Sequence, residues 1–154
     1  MKLSFLLIVL FTFTACNDHE KSNIITESHM EEQAMKLNGT WEMVGYYNYV
    51  DNKIADSFKI NHGFRQVKMY TDNKVMWSKN VPGDSTEWFG YGNYNNTDKE
   101  LKETLEYGSE MMKKIIDEKK EFKYELHLDK DKFIQIEVDD LGNRIYSENY
   151  KRIE

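Results

Sequence analysis

An all-β, up-and-down antiparallel barrel of eight strands is the fold class that the sequence predicts for residues 38–154, with one short helical segment near 108–120. Three observations carry this expectation. Apolar and polar residues alternate in short runs instead of recurring at helical spacing. Clusters of turn-forming residues separate the runs. Ten Tyr, eight Phe and three Trp supply the bulk of a packed interior. Eight strands tied by tight turns favour a barrel over a sandwich, and at that size the interior either fills with side chains or holds one small ligand.

The first strand is read over 41–50 (WEMVGYYNYV), and the next two, 64–71 (FRQVKMYT) and 74–79, meet at Thr71-Asp72-Asn73. Pro82-Gly83-Asp84 precedes a strand over 87–95 (EWFGYGNYN), and the polar run Asn95-Asn96-Thr97-Asp98 turns the chain into 99–107 (KELKETLEY). The segment GSEMMKKIIDEKK (108–120) breaks the alternation, because Met111, Met112, Ile115 and Ile116 fall at helical spacing. We read it as a helical lid over one barrel end. The other reading, a membrane-facing patch, fits its mixed charges less well. Strands follow over 121–128 (EFKYELHL) and 132–138 (KFIQIEV), joined at Asp129-Lys130-Asp131, and the turn Asp139-Asp140-Leu141-Gly142-Asn143 leads into the last strand, 144–153.

Alternation also assigns faces. If Trp41 points inward, so do Met43, Gly45 and Tyr47; the matching faces carry Val75 and Trp77, then Trp88, Gly90, Gly92 and Tyr94, then Leu101, Leu105 and Tyr107, then Phe122, Tyr124, Leu126 and Leu128. Glu103 shares parity with Leu105, and Lys68 with Tyr70, so both are expected inside. A buried carboxylate needs a partner, which a lysine or tyrosine hydroxyls would supply. Two readings stay open for Glu103: an anchor for a ligand head group, or a polar network that pins the register. The candidate ligand-binding set is therefore Tyr47, Tyr70, Trp77, Trp88, Tyr94, Glu103, Tyr107 and Tyr124. Gly90 and Gly92 either open space in the wall or let the strand bend, and bending is favoured.

A net charge of −6 without a clustered basic face argues against a nucleic-acid partner. The single cysteine, Cys16, makes no internal disulfide and no thiolate metal site. His19 and His29 are loosely placed, His62 and His127 are isolated, and Asp139-Asp140 is explained by its turn. No metal, no cofactor and no catalytic constellation is expected, so the chain is read as a non-enzyme.

The first fifteen residues, MKLSFLLIVLFTFTA, have a positive start at Lys2, an apolar run from Leu3 to Phe13 and a small residue, Ala15. This is the layout of a secretory signal and is too short for a permanent membrane span. Thr14-Ala15-Cys16 resembles the lipobox of bacterial lipoproteins, departing from it at Phe13, where that family has Leu, Val or Ile. The resemblance implies a signal peptide over 1–15, acylation of Cys16 as the new N-terminus, a polar tether over 16–37 and a membrane partner reached through the lipid. It places the protein in the cell envelope of a Gram-negative bacterium. The acids in Asn17-Asp18-His19-Glu20 resemble either an inner-membrane retention signal or a surface-export signal of Bacteroidetes lipoproteins; the second implies the outer membrane and is preferred.

Gly39-Thr40-Trp41 stands at the head of the first strand and resembles the Gly-x-Trp signature of lipocalins. That resemblance implies that Arg152, in the terminal YKRIE, packs across Trp41 at the closed end of the barrel. The strings VKMYTDNKVMW, GYGNY, ETLEY and ENYKRI are similar to those of small lipocalin-like lipoproteins of Bacteroidetes, domains of unknown function. The implied fold is a lipocalin-like barrel with a small, partly apolar ligand inside. The alternative is a filled barrel whose outer surface binds envelope proteins or glycans. The remaining signature segments of vertebrate-type lipocalins are missing, so a retinoid-like ligand is not implied.

Overall fold

The strand that closes the sheet is the last one. In the computed structural model, which describes residues 36–58, 60 and 63–154, the C-terminal strand returns to the first and pairs with it from Trp41 opposite Arg152 to Asn48 opposite Tyr146. The signal peptide, Cys16, Asn17-Asp18-His19-Glu20, His29 and His62 lie outside the described residues.

The elements in chain order are β1 (Gly39–Val50), β2 (Lys53–Phe58), β3 (Arg65–Tyr70), β4 (Lys74–Asn80), β5 (Trp88–Asn96), β6 (Glu100–Gly108), α1 (Glu110–Glu118), β7 (Glu121–Leu128), β8 (Lys132–Val138) and β9 (Arg144–Arg152). From β3 onward each strand pairs antiparallel with the next, and β9 pairs with β1, giving a closed barrel. Its second stave is split. β3 pairs with β1 over Gly39–Glu42, whereas β2 pairs with β1 farther along, over Tyr46–Val50. The two pieces share one edge of β1, so the barrel has eight staves built from nine strands. This is the expected all-β barrel with one short helix, but β2 was not foreseen. Asp51 and Asn52 form its turn with φ of 50° and 60°, the backbone a two-residue hairpin loop requires. The Asn52 side-chain carbonyl then accepts the Arg144 backbone N–H at 2.7 Å.

Two bulges control which side chains enter the barrel. Against β9, the pairing of β1 slips between Met43 and Gly45. Against β5, that of β6 slips between Leu105 and Tyr107. Each extra residue reverses the alternation beyond it. Tyr47, expected inside with Met43, instead lies over the outer face of Gly45, and Tyr46 turns toward the core. Tyr107, expected inside with Leu105, is 56% exposed and packs against Tyr91 on the outside at 5.2 Å. Elsewhere the expected alternation holds: Val75, Leu101, Leu105, Tyr124 and Leu126 are all buried.

One end of the barrel is filled. Trp41 is fully buried and meets Phe133 edge-on at 4.9 Å, while Tyr150 stacks on Phe133 at 4.5 Å. The Trp41 indole donates to the Leu37 carbonyl at 2.7 Å, and Leu37, placed in the tether by composition, is itself fully buried. The Arg152 guanidinium lies 3.9 Å from the Trp41 ring centroid. It donates to the carbonyls of Asn38 (2.5 Å), Lys130 (2.8 Å) and Lys36 (3.3 Å). Gly39 has φ of 129°, and a Cβ there would strike the same guanidinium. The Gly-x-Trp pattern thus has a steric reason at its first position and a packing reason at its third. At the other end α1 packs against β5 and β6, burying Met112 and Ile116.

Candidate functional site

Below the filled layer, the barrel holds a chain of polar side chains that no single strand supplies. Lys68 of β3 donates to both oxygens of Glu103 of β6, at 2.8 and 3.1 Å, and to Gln135 of β8 at 2.9 Å. Tyr70 donates to Glu103 at 2.5 Å. Gln135 continues the chain to Glu148 of β9 at 2.9 Å, where Tyr150 (2.7 Å) and Gln66 (3.2 Å) also donate. Lys68 and Glu103 are 3% and 2% exposed, so this is a desolvated ion pair. Such a pair survives burial only with its remaining lone pairs and protons satisfied; Tyr70 and Gln135 meet that need. Burial first, then the Glu103 carboxylate, pushes the Tyr70 and Tyr124 hydroxyls well above the ordinary phenol range. For Tyr150 burial is again the main cause, with Glu148 next. All three phenols stay neutral, and two of them donate: Tyr70 to Glu103 and Tyr150 to Glu148.

The network forms the floor of a cavity of about 260 Å³ at the end away from Trp41 and Arg152. Trp77, Trp88, Leu105, Phe122 and the α1 residues Met112 and Ile115 form its apolar wall. The helix therefore forms part of the cavity wall. Gly90 makes the wall possible, because a Cβ there would come within 2.8 Å of the Trp77 indole. The missing side chain is filled by Trp77 and does not itself enlarge the space. A second recess of about 510 Å³ adjoins the first and shares Gln66, Lys79 and Glu148 with it. Its own walls include Met43, Tyr46, Phe58 and Phe64, from both sides of the split stave. Of the sequence-derived candidates, Trp77, Trp88, Glu103 and Tyr124 line the inner cavity. Tyr70 lies beneath them through its bond to Glu103. Tyr94 packs on Tyr70 at 4.8 Å and donates to the Thr71 carbonyl, on the filled side. Tyr47 and Tyr107 are not in the lining. Missed from sequence were Gln66, Gln135, Tyr146 and Glu148; Gln66 shares parity with Lys68 and Tyr70, a signal that could have placed it inside, whereas Gln135 lies opposite the more apolar face of Ile134, Ile136 and Val138.

The protein superposes on a crystal structure of a lipocalin-like protein from Bacteroides uniformis with a TM-score of 0.50 at 13% identity, over 76% of this chain and 98% of that one. The barrel is lipocalin-like. An uncharacterized protein from Bacteroides eggerthii gives a TM-score of 0.48 at 14% identity, covering 76% of this chain and 99% of that one. No protein-family model and no curated protein matches the sequence. In this lipocalin-like barrel the filled end is the one that carries Gly39, Trp41 and Arg152, and the cavity opens from the middle toward α1.

Proposed function

We propose that the protein is a non-catalytic binding protein whose lipocalin-like barrel holds one small, partly apolar molecule, and that acylated Cys16 tethers it to the envelope of a Gram-negative bacterium, at the outer membrane. The observation that supports binding is the cavity itself: an apolar wall of indole, phenyl and aliphatic groups faces a floor of ordered donors and acceptors. Ligand sites are built this way, with apolar surface for affinity and a few polar groups for orientation. A cavity of about 260 Å³ sits just below the roughly 300–1,000 Å³ of drug-sized sites, so the ligand is small.

Thermal unfolding in the presence of small-molecule extracts from the host tests binding. A ligand for the native state raises the unfolding midpoint by mass action. Leu105→Phe, which places extra ring volume in the cavity, should abolish the rise; an equal rise in both proteins, or none in either, argues for the filled-barrel interaction module instead. Anchoring rests on the lipobox-like Thr14-Ala15-Cys16. Cys16→Ala should move the protein from membrane to soluble fractions, and an unchanged distribution would end the lipoprotein reading.

A further inference from the structure

The charges that face the cavity do not cancel. Its lining carries Lys68 and Lys79 against Glu103, Glu137 and Glu148, an excess of one negative charge. Lys68 is committed to Glu103 and Gln135. Lys79 lies over the Trp88 ring, 4.6 Å from its centroid. Glu137 has Lys119 at 3.5 Å. Among the described residues Glu148 has no cation within ion-pair distance; its three donors, Gln66, Gln135 and Tyr150, are all neutral.

The distribution of those donors leaves a vacancy. Oε2 of Glu148 accepts two hydrogen bonds, from Gln135 and Tyr150, whereas Oε1 accepts one, from Gln66. A carboxylate oxygen has room for about two. Glu148 lines both the inner cavity and the adjoining recess, so a ligand in either space lies beside its carboxylate. The neighbouring groups strengthen the same preference. Burial holds the Tyr146 hydroxyl above the ordinary phenol range, with Glu148 and Glu137 adding to the effect, which keeps that ring neutral beside the two acids.

A carboxylate held by neutral donors at the edge of an aromatic-walled cavity selects positive charge, since the cation gains both the charge-assisted hydrogen bond and the attraction of nearby ring faces. We propose that the cavity takes a small cationic amine: a protonated amino group bonded to Glu148 Oε1, on an apolar or aromatic body held against Trp77, Trp88 and Phe122. This rests on the reading of the cavity as a ligand site and adds the chemical class.

Three probes of matched shape separate the two claims. Phenethylamine, phenethyl alcohol and phenylacetate share a body and differ in head-group charge. Titrated into the full chain by calorimetry, phenethylamine should bind about tenfold or more tighter than the alcohol, because both can donate to the carboxylate but only the amine brings an opposite charge, and phenylacetate weakest. In Glu148→Gln the advantage of the amine over the alcohol should disappear. The alcohol or phenylacetate binding as tightly as the amine to the native protein would overturn the amine class while leaving the cavity reading intact. Binding of none of the three would overturn both. The comparison within the native protein stands whether or not the variant folds.

Discussion

Lys68 and Glu103 show how a single pair of residues specifies this interior. Each is almost fully withdrawn from water, and each depends on the other, on Tyr70 and on Gln135. Removing one partner strands a charge, so Lys68→Met should cost about 3–5 kcal/mol in chemical denaturation. The double variant Lys68→Met/Glu103→Leu should recover most of that loss. It should not recover all of it, because Tyr70 then lacks its acceptor, a further cost of about 1–3 kcal/mol. If the single variant is as stable as the native protein, the pair is not the buried ion pair described. Parity made these two residues legible in the sequence. The same parity extends from Lys68 to Gln66, but it misleads for Gln135, whose strand has the more apolar face at Ile134, Ile136 and Val138, and it gives no clear face for Glu148.

Alternation fails at the scale of the element wherever a strand gains a residue. The bulges at Val44 and Glu106 turn Tyr47 and Tyr107 outward; Gly45 is a local mark of the first, and nothing in KELKETLEY marks the second. The split stave was equally hidden: Asp51-Asn52 is a weaker hairpin signal than Asn-Gly, and β2, KIADSF, is exposed along its whole length and shows no alternation. The helix was legible because four apolar residues at helical spacing interrupt a strand pattern. So was the junction of β1 with β9, where Gly39, Trp41 and Arg152 interlock. Arg152→Ala loses the ring contact and the bonds to carbonyls and should cost about 1–3 kcal/mol. Gly39→Ala both displaces Arg152 and forces an L-residue into a positive φ. Its cost should therefore shrink by about 0.5 kcal/mol or more when Arg152 is already Ala, a coupling that denaturation of the four proteins measures. Strict additivity would mean that the guanidinium is not the obstacle.

Across the whole molecule, closure divides the interior into a filled half and a hollow one. The filled half places Trp41, Phe133 and Tyr150 against the Arg152 latch, and the polar floor spans strands β3, β6, β8 and β9. Because the floor joins residues as far apart in sequence as Gln66 and Tyr150, it forms only when the barrel does, and the cavity above it is a property of the closed sheet. The barrel class and the end that closes were readable from turn spacing and the Gly-x-Trp pattern. The volume of the cavity was not, since aromatic content is the same whether a barrel is filled or hollow. Native mass spectrometry of the protein isolated from its own host tests the hollow half most directly. The expected result is a species heavier than the covalent protein, lost on denaturation and absent from Leu105→Phe. A single species at the covalent mass in both proteins would contradict a ligand in the barrel.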